Sequence, residues 1–149
     1  MKTSILVDTN VLVYAYDRSE PAKQARAFAV LEELAAAKKG VLSSQVLSEF
    51  FVTVTRKIPA PLTVAQANVR VQNYLRAWPV LDVTGLVVLE AIRGVREHRL
   101  AYWDAQIWAV ARLNQIEVIL SEDFAAGSVL EGIRFLNPFA PGFDLTGLV

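Results

Sequence analysis

A three-layer α/β domain, with helices on both faces of a short, mostly parallel sheet of four to five strands, is what this sequence predicts. Three observations lead there. Short β-rich apolar runs alternate with helix-length segments, two of those runs stop at or just before carboxylates, and no repeat, low-complexity stretch or linker breaks the alternation. Strands separated by helices pair in parallel, because a crossover returns the chain to the same end of the sheet. A length of 149 residues suits one domain, 1–149, with an apolar tail over 140–149.

The elements follow in order. Ser4 to Val7 is an apolar run halted by Asp8, the pattern of a buried parallel strand. Asn10 to Tyr16 is too short to assign. Pro21 to Lys39 is a helix, with proline in its first turn, lysines in its last and Gly40 beyond. Val41-Leu42 is a second strand, after which Ser44 caps a helix over Gln45 to Arg56. Propensity alone would make EFFVTVT a strand, but Pro59 and Pro61 terminate a helix cleanly. Thr63 and Gln66 form a capping box for a helix to Trp78, stopped by Pro79. Val80 to Val83 is the third strand, and Thr84 caps a helix to about His98. Tyr102 to Asn114 is a helix apolar nearly all round, hence buried, with Trp78, Trp103 and Trp108 read as core. Val118 to Leu120 is the fourth strand and Ile133 to Leu136 a fifth.

Composition narrows the function. With 54% hydrophobic and 20% charged residues the chain can bury a core, which excludes disorder and suggests a further interface with another chain. Fifteen basic residues balance fifteen acidic ones, so no global field advertises a polyanion. The absence of cysteine removes disulfide scaffolds, thiolate zinc sites and thiol nucleophiles. Asp8 and Asp17 interrupt the apolar start too early for a secretory signal, and no run is long enough to span a membrane. The expectation is a soluble, cytoplasmic protein.

Four acids stand where water would not take them. Asp8 and Asp123 follow strand ends, the edge at which open α/β sheets bind ligands. Glu49 in VLSEFFV and Asp104 in AYWDAQIWAV lie within apolar helical stretches. Asp8 also suits a strand-to-helix cap, and Asp104 in a first turn answers the helix dipole. Two carboxylates ~4 Å apart repel by roughly 4 kcal/mol at an effective dielectric near 20, so converging acids need a cation. An all-oxygen set without paired histidines or cysteines suits magnesium or manganese rather than zinc or copper. Such an ion supports phosphodiester hydrolysis without a side-chain nucleophile.

VDTNVLVYAYD at Val7 to Asp17, QVLSEFFVTVTRKI at Gln45 to Ile58, YWDAQIWAVA at Tyr102 to Ala111, LSEDF at Leu120 to Phe124 and NPF at Asn137 to Phe139 together resemble PIN-domain ribonucleases, in particular the VapC-type toxins of toxin–antitoxin pairs. The resemblance covers nearly the whole chain in the right order. It implies a magnesium- or manganese-dependent endoribonuclease whose catalytic and metal-binding residues are Asp8, Glu49, Asp104 and Asp123. Thr9, Asn10 and Ser121 are implied as supporting polar residues. The likeness also implies an RNA substrate, a homodimer and a cognate antitoxin protein whose tail fills the groove. Glu122 competes with Asp123, though neighbours at a strand end point apart.

Setting those four acids aside from the fifteen leaves eleven against fifteen basic residues, an excess compatible with gripping an RNA backbone. Arg93, Arg96 and Arg99 recur along one helix side, and Arg56-Lys57 form a second basic spot. Both are also what an ordinary solvated helix face looks like. His98 is expected to be solvated at a charged helix end. Two other readings compete: a non-catalytic PIN-fold module that binds a partner, and a phosphoryl-transfer α/β domain. The latter wants a second aspartate two residues after the first, where Asn10 stands, or a late lysine, and none follows Lys57.

Overall fold

The computed structural model describes residues 4–148. Its elements run β1 (Ile5–Val7), α1 (Thr9–Tyr14), α2 (Pro21–Ala37), β2 (Gly40–Ser43), α3 (Ser44–Arg56), α4 (Val64–Ala77), β3 (Val80–Leu81), α5 (Gly85–His98), α6 (Tyr102–Leu113), β4 (Val118–Leu120), β5 (Val129–Leu130) and β6 (Ile133–Leu136). The strands form one sheet in the order β3-β2-β1-β4-β6-β5, parallel except for the β5–β6 pair. Ile5, Leu6 and Val7 are all fully buried although successive side chains point to opposite faces, so both faces of β1 are covered. This is the three-layer α/β architecture that the alternating pattern predicts.

The differences from the sequence reading are local. The segment after Asp8 is a helix, α1, which buries Val11, Leu12 and Val13. Ser43, not Ser44, caps α3, its hydroxyl accepting from the Val46 amide at 3.2 Å. The Ser44 hydroxyl instead accepts from the Val83 amide at 3.2 Å, tying α3 to the segment after β3, which is shorter than expected. Helix wins over strand in EFFVTVT because Phe50 and Val54, four residues apart, enter the core together with Val46 and Leu47. The two-residue strand β5 has no sequence signature, being a hairpin partner of β6 around Glu131 and Gly132, both with positive φ. Gly40 has a packing reason: a Cβ there would meet the Trp78 ring at 2.1 Å.

Two more expectations change. Trp78 and Trp108 are core, but Trp103 is 62% exposed on the wall of a cavity beside α3. His98 is half-buried rather than solvated, its Nε2 bonded to Glu131 and its ring edge-on to Trp108. The tail returns to its own chain: Leu145 is buried in the core, Phe139 packs edge-on against Tyr14 and Lys39 donates to the Leu148 carbonyl at 3.4 Å. Among the described residues no helix is long and apolar enough to cross a membrane.

Candidate active site

In this strand order β1 pairs with β2 on one side and β4 on the other, so the chain winds in opposite directions from β1. The crevice beyond the carboxyl ends of β1 and β4 is a topological switch point, where open α/β sheets place ligands. Asp8 leaves β1 there, and Ser121 to Asp123 leave β4. Two ladder continuations hold that edge rigid, the Asp8 amide donating to Leu120 at 2.9 Å and the Ser121 amide to Leu136 at 2.9 Å.

Asp8 is the cap of α1, its Oδ1 accepting from the Thr9 amide at 2.7 Å. Its Oδ2 accepts from the Ser121 hydroxyl at 2.6 Å. The Asn10 side-chain amide lies 3.5 Å from Asp8 Oδ2, 3.3 Å from Ser121 Oγ and 3.1 Å from Asp123 Oδ2. One carboxamide therefore bridges two carboxylates that are 115 residues apart in sequence. Its carbonyl oxygen accepts the Glu122 amide at 3.2 Å, fixing the loop that carries Asp123. Glu122 itself turns away, taken by the Tyr14 hydroxyl at 2.7 Å and by the Lys23 ammonium. Asp123 is left facing Asn10.

Glu49 reaches this cluster from the middle of α3, with the Thr9 hydroxyl 3.5 Å from its Oε1. A buried relay orients it: Tyr102 donates to Gln106 at 3.0 Å, Gln106 to Gln45 at 2.9 Å, and Gln45 to Glu49 at 2.9 Å. Gln45 also donates to the Trp103 carbonyl at 3.1 Å, locking α3 to the first turn of α6, from which Asp104 projects. The sequence reading passed over Gln45 and Gln106. The signal was the one that found the acids, polar residues inside apolar helical stretches.

Asp8 and Asp104 feel the charges of the other two acids. Burial pushes the Asp8 carboxyl up to about 6, held back by the Ser121 hydroxyl and the Thr9 amide and raised further by the charges of Asp123 and Glu49. Asp104 is raised by burial and then by Asp123 and Glu49. Among the described residues none of the four is ion-paired; the basic side chains that do pair, Lys23, Arg93, His98 and Arg112, go to Glu90, Glu97, Glu122 and Glu131. Among the described residues no three acids already converge on one coordination point, so the set is open. The donor chemistry fits a hard divalent cation: all oxygen, uncompensated, and with the most buried carboxyl raised by its burial.

The basic candidates separate. Two cavities meet along Glu49 and Thr53: one of about 410 Å³ holds Thr9, Asn10 and Asp123, the other, of about 460 Å³, holds Lys57 and Trp103. Arg56 is exposed at the end of α3 beside Lys57. Arg93 is committed to Glu90, Glu97 and Glu131 and lines a different cavity with Arg96, away from the acids. Arg99 is exposed in the left-handed cap of α5.

Residues 5–127 match the PIN domain, which is most of the chain, and the protein belongs to the PIN-domain family. Solved structures agree on the fold. A toxin–antitoxin complex from Klebsiella pneumoniae superposes with a TM-score of 0.67 at 19% identity, covering 91% of this chain and 98% of that one. VapC20 of Mycobacterium tuberculosis, a toxin that cleaves the sarcin-ricin loop, gives a TM-score of 0.62 at 23% identity over 86% and 98%. VapBC2 of Rickettsia felis, bound to a DNA fragment from its promoter, gives 0.62 at 16% over 89% and 97%. No curated protein matches in sequence.

Proposed function

We propose that this PIN-domain protein is a magnesium- or manganese-dependent endoribonuclease and the toxin of a toxin–antitoxin pair. The observation that carries the reading is the carboxylate pair of Asp8 and Asp123, bridged by Asn10 at the sheet's switch point and left without a cation of its own. Asp8, Glu49, Asp104 and Asp123 would hold the ion, which would acidify a water and offset charge on the phosphoryl oxygens. Asn10 keeps two of the acids within reach of each other, Ser121 orients Asp8, and Thr9 with the Gln45 relay orients Glu49. The cleft between α1 and α3 has room for a chain running past Glu49, and Lys57 supplies a positive charge in the neighbouring cavity. The structural neighbours that are toxins of such pairs support an antitoxin partner and RNA as substrate. Leu86, Leu89, Ile92 and Val95, all exposed on α5, form an apolar strip suited to a homodimer contact.

The test is cleavage of RNA by the purified chain freed of any partner. Manganese or magnesium should permit cutting, chelation should stop it, and Asp104→Asn should abolish it while the thermal unfolding midpoint stays near wild type. Absence of cleavage under every divalent condition would remove the enzymatic reading.

The relay gives a subtler expectation. Gln45→Ala frees Glu49 from its orienting bond and strands the Gln106 amide, so divalent-ion affinity should fall about 10- to 100-fold, as read by calorimetric titration. An unchanged affinity would mean that the relay serves packing alone.

A further inference from the structure

Trp103 stands out once the acids are accounted for. It is the tryptophan this fold leaves in water, 62% exposed, whereas Trp78 and Trp108 are buried; Phe28 on α2 is 61% exposed but lines neither cavity beside Glu49. It is also adjacent in sequence to Asp104 and is not loosely held. Its ring sits edge-on to Tyr102 at 5.1 Å, and its carbonyl accepts from Gln45 Nε2 at 3.1 Å, the same nitrogen that orients Glu49. The backbone that carries the indole is thus held by the relay that orients a proposed metal ligand. In front of it lies the cavity of about 460 Å³, whose walls include Ser48, Val52, Lys57 and Val83. That volume falls in the ordinary range for small-ligand pockets.

We infer that Trp103 and Lys57 form a base-binding subsite, in which the nucleobase beside the scissile phosphate stacks on the indole while its backbone phosphate faces Lys57. This rests on the nuclease reading and adds to it the part of the substrate recognised outside the acid cluster.

Three features favour a nucleotide over an apolar side chain of a protein partner. The cavity shares Glu49 and Thr53 with the acid-lined one, so it lies directly beside the place where a strand over the acids would sit. The exposed Lys57 on its wall matches a phosphate and would be left unmatched by an apolar anchor. The exposed Ser48 hydroxyl donates to the Ser44 carbonyl at 3.0 Å and keeps its lone pairs to accept from a base amino group beside a flat ring, the combination by which proteins bind unstacked bases.

The experiment is a chemical double-mutant cycle. Cuts made by wild type in a random-sequence RNA pool with manganese are mapped, and one cleaved sequence is resynthesised with a single abasic ribose at each position flanking the cut. In wild type, loss of one flanking base should slow cleavage about tenfold or more, the usual effect of removing a stacked base. Trp103→Ala should cut the intact RNA about tenfold more slowly and be indifferent to that abasic site, whereas Trp103→Phe should keep most of the sensitivity. The inference is overturned if no flanking base matters to wild type, or if Trp103→Ala remains as sensitive as wild type. It is equally overturned if Trp103→Ala cuts normally and loses only affinity for a protein antitoxin. A wild type that cuts no RNA at all fails the nuclease reading itself, and this inference with it.

Discussion

Asp8→Asn is expected to abolish RNA cleavage while making the metal-free fold more stable. The loss should be about a thousandfold or more, since losing a single group that stabilises developing charge already costs 10²- to 10³-fold. The gain in stability comes from the same burial. Asp8 is 8% exposed, and its carboxyl is pushed from 3.8 to about 6, so keeping it ionised at pH 7 costs at most about 3 kcal/mol. An asparagine retains an oxygen for the Thr9 amide and places a neutral amide toward Ser121, whose hydroxyl can turn to accept, at the loss of the long 3.5 Å contact from the Asn10 amide. Chemical denaturation at pH 7 without divalent ions checks it. A variant less stable than wild type would show that the carboxylate serves the fold, and retained cleavage would remove Asp8 from the reaction.

Divalent ions should reverse the pH dependence of stability. In the ion-free protein Asp8 has a raised folded pKa, so its favourable contribution is complete below about 4 and is lost as pH rises through 6; Asp104 shifts in the same direction. Glu131, held down to about 2 by Arg93 and then His98, gives the opposite slope, but only between about 2 and 4.5. The two windows therefore separate, and ion-free stability should decline from pH 5 to pH 7.5. Manganese binds the deprotonated acids, so at a hundred times its dissociation constant it should add about 2.7 kcal/mol at pH 7.5 and far less at pH 5. Thermal unfolding with and without manganese at the two pH values reads this directly. Equal shifts at both would mean that the ion binds elsewhere.

Much of this site is legible before any fold is known, for a definite reason. Ionised carboxylates are rare beside apolar runs because desolvation is costly, so Asp8, Glu49, Asp104 and Asp123 stand out by local context alone. Strand ends and helix caps are equally local, as Thr63 with Gln66 and Pro21 at the start of α2 show. The same locality explains the errors. Ser43 and Ser44 are equivalent caps until one is needed by Val83, and β5 exists only because β6 is there to pair with it.

Residue identity in this chain thus determines the alternation of strand and helix, the buried core and the four anomalous acids, since each depends on neighbours within a few positions. Tertiary packing decides what depends on partners across the chain. It turns Glu122 toward Lys23 and leaves Asp123 to Asn10, joins Gln106 to Gln45, commits Arg93 to three glutamates and leaves Trp103 in solvent. The physical reason is that a charge or an indole has many competing partners of similar chemistry, and only the geometry of the sheet and its helices selects among them.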